Sequence, residues 1–167
     1  LYINPYDKDT GSPSFKDLNF NEQLLYYKEG LNAVITVRGA GPNLDVISYQ
    51  ANGKQEARSE SGRPSWSWSI LGHIPMMLYN GPPKDALLVG LGSGMTLGAM
   101  EYYPVNGIDV VELESAVVDA ARFFSKANNN ALDDPRVRLH LTDGRSFLST
   151  ASKKYDIIVS GVSDPWI

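Results

Sequence analysis

Gly90, Gly92 and Gly94, with Ser93 among them, are followed about 20 residues later by Glu112. These residue types at this spacing suit one kind of chemistry. Glycines let the main chain turn tightly and lie against a ligand, and a helix start supplies unpaired N–H groups. An acidic side chain at the distance of Glu112 accepts hydrogen bonds from ribose hydroxyls in dinucleotide-type folds. Together they point to a nucleoside site; the competing reading is a tight turn packed for its own sake. Such a site needs a strand before the glycines, a helix after them and a second strand ending at the acid. The chain has all three. Ala86–Val89 is a short apolar run, Met95–Tyr103 reads as a helix, and Ile108–Val111 is a second apolar run that stops at Glu112. This is a βαβ unit with parallel strands.

Composition narrows the class. The 167 residues are 43% hydrophobic and 20% charged, enough to build a core and unlike a disordered chain. Fifteen basic and nineteen acidic residues leave a net charge of −4, so no basic stripe for nucleic acid is expected. Cysteine is absent and the two histidines, His73 and His140, lie far apart in sequence. Neither a thiolate site nor a metal centre is expected. No apolar run reaches membrane-spanning length. The chain opens on Leu1 rather than Met, so a native start upstream is expected.

The remaining segments divide into four. Residues 1–23 read as an irregular lead-in. Residues 24–58 read as a small antiparallel β-domain. Its runs are Leu24–Tyr27, Ala33–Val37 and Leu44–Tyr49, and Asn52-Gly53 is a tight-hairpin signal. Residues 59–83 read as a connection carrying a helix over Trp66–Tyr79, kinked by Pro75. Trp66 and Trp68 are expected to pack between the β-domain and the later part of the chain, the competing reading being a stacking platform for a ligand, and His73 to be a satisfied interdomain histidine and not a catalytic base. Residues 84–167 read as a Rossmann-like domain. After Glu112 come a helix over Ser115–Asn128 capped by Ser115, a strand over Val137–Leu141, a helix over Arg145–Ala151 and a strand over Tyr155–Ser160. The fold class is therefore α/β, a Rossmann-like parallel sheet preceded by a small antiparallel β-domain. Polar residues gather at the C-terminal strand tips, where open α/β sheets bind ligands.

From about Leu24 the chain resembles the spermidine/spermine synthase family of aminopropyltransferases. The residues that carry the resemblance are Leu25-Tyr26-Tyr27, Gly72-His73-Ile74-Pro75, Gly90-Leu-Gly92-Ser-Gly94, Val111-Glu112, Leu132–Val137, Asp143-Gly144 and Tyr155–Ile158. The resemblance implies a methyltransferase-type Rossmann-like domain behind the small β-domain, and an aminopropyl transfer from decarboxylated S-adenosylmethionine to putrescine or a related polyamine, without a metal. It assigns the ribose hydroxyls to Glu112, the adenine amino group to Asp143 beside Gly144, and the thioether part to Gly90, Gly92, Ser93 and Gly94. It also implies a cytoplasmic protein, or a cytoplasmic domain fused to membrane segments, with a homodimer as one arrangement.

The chain departs from the family at telling places. Gly161 stands where the family has an aspartate at the tip of the fourth strand, which leaves Asp164 as the candidate catalytic carboxylate. Ser93 stands where the glycine loop usually carries an aspartate that favours the decarboxylated donor. Ser67, Trp68 and Ser69 replace a Tyr-His-Glu pattern, and the chain ends before the family's further strands, leaving Ile157–Val159 on a poorly covered strand. Three readings stay open. One is an aminopropyltransferase relative with a degraded site that binds the decarboxylated donor or methylthioadenosine. The others are an S-adenosylmethionine-dependent methyltransferase and a non-catalytic nucleoside-binding module.

Overall fold

A computed structural model describes residues 22–161. Four β-strands come first: β1 (Gln23–Glu29), β2 (Val34–Ala40), β3 (Val46–Ala51) and β4 (Lys54–Glu60), paired in sequence order as an antiparallel meander. The β3–β4 turn forms at Asn52-Gly53, where both residues adopt positive φ (51° and 80°), as a two-residue hairpin turn demands. Along β2 the side chains alternate between buried and half-buried positions, and Ile35, Val37 and Tyr49 enter the core. Leu44 sits in the turn before β3 with φ of 53°, so the third strand starts two residues later than the apolar run suggests.

Next come α1 (Trp66–Leu78), β5 (Asp85–Val89), α2 (Met95–Met100), β6 (Gly107–Glu112), α3 (Ser115–Ala121), β7 (Val137–Leu141), α4 (Gly144–Thr150) and β8 (Ile157–Ser160). The strand order is β7-β6-β5-β8, and all three pairings are parallel. Strand order reverses between β5 and β8, the position at which such sheets open a ligand crevice beyond their carboxyl ends. The α/β architecture with a preceding antiparallel sheet is the one expected. One apolar cluster joins both sheets, running from Ile35, Val37 and Tyr49 through Leu88, Met95 and Leu97 to Phe124.

Several local expectations are corrected. Helix α2 stops at Met100 instead of reaching Tyr103, because Tyr103 precedes Pro104 and a residue before proline avoids the helical region. Helix α3 ends at Ala121 and tightens into a 3₁₀ turn over Arg122–Phe124, short of Asn128. Asn128 itself turns back, its Nδ2 donating to the Ala121 and Ser93 carbonyls at 2.9 Å each. Ser115 is the first helical residue and not the cap. Glu114 occupies the cap position without a capping bond, its carboxylate being used elsewhere. Helix α1 runs through Pro75 over its full length, and Gly72 lets it lie directly on α2, where an added Cβ would fall 2.5 Å from the Thr96 carbonyl oxygen. His73 is satisfied by the Tyr103 hydroxyl at 3.1 Å, within the α/β unit and not between the two sheets. Trp66 is 78% exposed, so only Trp68 of the pair packs against the core.

The far end of the parallel sheet is tied by a polar knot. Asp109, buried on β6, accepts from Arg138 Nε and Nη2 (3.0 Å each), His140 Nε2 (2.8 Å) and Lys153 Nζ (2.8 Å), and Lys153 also reaches Asp85 at 2.7 Å. Burial alone would push the Asp109 carboxyl up. The hydrogen bonds from Arg138, Lys153 and His140 outweigh it and hold the group well below its ordinary value of 3.8. A carboxyl with a depressed folded-state pKa contributes stability that is complete above its unfolded value and is lost as pH falls through the folded one. Asp109→Ala should therefore lower stability by about 1–3 kcal/mol at pH 7, the cost of orphaning charged hydrogen-bond partners, or roughly 2–12 °C in Tm. The gap between parent and variant should narrow as the pH falls below about 4. Equal melting temperatures at pH 7 would show that the knot contributes nothing.

Candidate functional site

The glycine loop leaves β5 with Gly90 at φ of 86°, a left-handed conformation that a side chain would strain. It closes on Gly94 (φ 78°), where an added Cβ would lie 2.9 Å from Asn128 Nδ2, so Asn128 walls the loop from behind. Glu112, buried at the tip of β6, holds the loop from the front. Its Oε2 accepts from the Leu91 backbone N–H at 2.9 Å, and its Oε1 from the Glu114 N–H at 3.0 Å. The carboxylate thus ties the two strand tips together.

A cavity of about 280 Å³ opens between this loop and the antiparallel sheet. Gly90, Gly92, Ser93, Glu112 and Gly161 line it from the α/β side, and Ile35, Tyr49 and Glu56 from the β side. Four of the residues expected at a ligand site, Gly90, Gly92, Ser93 and Glu112, therefore converge on one space. Three others stand apart. Gly94 packs behind the loop. Asp143 is exposed and caps α4, its Oδ1 accepting from Ser146 N–H at 2.8 Å, a bond that holds its carboxyl below the ordinary value. Gly144 packs against Val89, whose Cγ1 lies 2.7 Å from where a Cβ would be. Asp164 lies outside the described residues.

Two acidic lining residues were not anticipated. Glu114 is buried, and its carboxylate accepts from Leu31 N–H (3.2 Å), Asn32 N–H (2.6 Å) and Asn32 Nδ2 (2.8 Å), which pins the β1–β2 turn over the cavity. Gly30 makes room for it: a Cβ there would overlap Glu114 Oε2. Glu56 is the second. Trp68 lines the cavity too, and its carbonyl accepts from Thr96 Oγ1 at 3.0 Å. Burial pushes the Tyr49 phenol up, and the charges of Glu112, Glu56 and Glu114 add to the effect. Among the described residues the lining contains no lysine, arginine or histidine. The site is therefore negative and suits a neutral or cationic ligand. No group of three or more histidine, cysteine, aspartate or glutamate side chains among the described residues could hold a metal ion, and no described helix is long and apolar enough to cross a membrane.

Known proteins share this sequence pattern and this fold. Residues 67–167 match the family model of the spermine/spermidine synthase domain. A polyamine aminopropyltransferase of Clostridium perfringens (strain 13 / Type A) is 38% identical over 95 residues, 56% of this chain and 33% of the relative. A polyamine aminopropyltransferase of Nitrosomonas europaea is 38% identical over 96 residues, 56% of this chain and 29% of the relative. Spermidine synthase from Thermotoga maritima superposes with a TM-score of 0.74 at 24% identity, covering 86% of this chain and 48% of its own. A spermidine synthase in complex with the transition state analogue AdoDATO gives the same score and coverage at 23% identity. These structural likenesses show the fold. The chain spans about half the length of those structures, and its alignments reach about a third of the curated relatives.

Proposed function

The chain belongs to the spermine/spermidine synthase family, and from that premise we propose that its cavity binds an adenosine thioether or sulfonium, decarboxylated S-adenosylmethionine or methylthioadenosine. The observation that carries this reading is the position of Glu112, buried at the β6 tip, facing the cavity and already holding the glycine loop. A carboxylate offers roughly four acceptor sites, and backbone N–H groups take two of those on Glu112, leaving capacity for a pair of ribose hydroxyls. The cavity of about 280 Å³ is close to the lower end of small-molecule sites, roughly 300–1,000 Å³.

The proposed reaction is aminopropyl transfer to putrescine or a related polyamine in the cytoplasm. The amine nitrogen bonds to the carbon beside the sulfonium as the C–S bond breaks and its electron pair returns to sulfur. The attacking ammonium first gives up its proton. That step needs a positioned carboxylate, and Gly161 offers none, so the site reads as degraded for catalysis while suited to binding. Ser93 supports a second reading. It is buried in the loop and uncharged, so it does not turn away the carboxylate of S-adenosylmethionine, as a methyltransferase requires. Titration calorimetry with decarboxylated S-adenosylmethionine, S-adenosylmethionine and methylthioadenosine separates them. The first reading expects the decarboxylated donor to bind at least about tenfold more tightly than S-adenosylmethionine. The reverse order would favour the methyltransferase, and binding of none would leave the unit a scaffold.

A further inference from the structure

Glu56 differs from the other acidic residues of the cavity. The carboxylates of Glu112 and Glu114 are engaged with backbone N–H groups, Glu112 by two and Glu114 by two together with an asparagine amide. Glu56 Oε1 is buried and accepts no hydrogen bond; it forms an ion pair with the Lys54 ammonium at 3.6 Å, and the Glu56 side chain is 11% exposed. An ion pair at that distance does not fill the oxygen's hydrogen-bonding capacity, and a buried charged oxygen that accepts no hydrogen bond calls for an explanation.

Its placement is built into the backbone. In the β3–β4 pairing Tyr49 faces Ala57 and Gln50 faces Gln55, so Glu56 is an extra residue with no cross-strand partner, a β-bulge. A regular strand sends neighbours to opposite faces, yet Glu56 and Ala57 both line the cavity. The bulge therefore turns toward the cavity a carboxylate that strict alternation would send to the opposite face. Bulges recur beside active sites for this purpose.

We propose that Glu56 holds the positively charged tail of the ligand, so that the cavity selects an adenosine derivative bearing an ammonium over a neutral one. This rests on the reading of the cavity as an adenosine site. It places on the antiparallel sheet the charge that Ser93 lacks in the glycine loop. An ammonium donating to Glu56 would supply the hydrogen bond that the ion pair with Lys54 leaves unmade, in a cavity lined by three carboxylates.

The test is calorimetric titration of the parent and Glu56→Gln with two ligands, decarboxylated S-adenosylmethionine, which is cationic, and methylthioadenosine, which is neutral. The glutamine keeps the shape and removes the charge. The expected result is a loss of at least about tenfold in affinity for the cationic ligand, with methylthioadenosine binding unchanged within about twofold. Unchanged affinity for the cationic ligand would overturn the proposal, and so would an equal loss for both ligands, which would make Glu56 a structural residue. Methylthioadenosine binding by the parent keeps the underlying adenosine reading intact in either case; if the parent binds neither ligand, both readings fall.

Discussion

Assayed with putrescine and decarboxylated S-adenosylmethionine, the protein should turn over about 10²–10⁴-fold more slowly than a relative with an aspartate at the tip of its fourth strand. That is the usual cost of a missing positioned acid–base group. An alkyl amine has a pKa of roughly 10 and arrives protonated, so it cannot attack until a base removes its proton. Gly161 lines the cavity where that base is expected, and its N–H is held by the Val89 carbonyl at 2.8 Å. The position tolerates a side chain. A Cβ there would lie 3.4 Å from the Gly90 oxygen and 3.9 Å from Leu71 and Leu88, all ordinary contacts. Gly161→Asp should therefore fold like the parent and raise the rate by at least about tenfold. A parent that matches an intact relative would refute the degraded-site reading. A folded variant with no gain would mean that the acceptor amine is not held beside residue 161.

Much of this site was legible along the chain, for a physical reason. The βαβ unit is local: its strand, glycines, helix and acid lie within 28 residues, Asp85 to Glu112, and short-range sterics dictate each piece. Asn52-Gly53 is equally local, because two adjacent residues must tolerate positive φ. What escaped sequence reading depends on register and reach. Glu114 takes the helix-cap position one residue before the expected Ser115, and only the fold brings Asn32 within 2.6 Å across 82 positions. Glu56 reads as an ordinary charge on a hairpin strand, because a bulge is a property of two paired strands and not of one. Trp66 and Trp68 are two apart on a helix and so face different ways, which a stacking or packing pair ignores.

The Glu112→Ala variant should bind methylthioadenosine at least about tenfold more weakly than the parent. Charge-assisted hydrogen bonds to two ribose hydroxyls are worth roughly 1.5–3 kcal/mol each, and 1.4 kcal/mol is already tenfold. The structure adds a second reason. Glu112 Oε2 holds the Leu91 N–H, so its loss also frees the glycine loop that must lie against the ligand. Glu112→Gln separates the two effects. Its remaining oxygen can keep the Leu91 bond, but its amide nitrogen cannot accept from Glu114 N–H and lacks the charge, so its affinity should fall between those of parent and alanine. Asp109→Ala is the informative comparison. Asp109 is three residues earlier on the same strand and faces the other side of the sheet, in the knot with Arg138 and Lys153. That variant should melt earlier yet, where folded, bind with the parent's affinity. Calorimetry on each protein, with circular dichroism establishing that it is folded, reads all three outcomes. A folded Glu112→Ala protein that binds as tightly as the parent would remove Glu112 from the ligand, and with it the adenosine reading of the cavity.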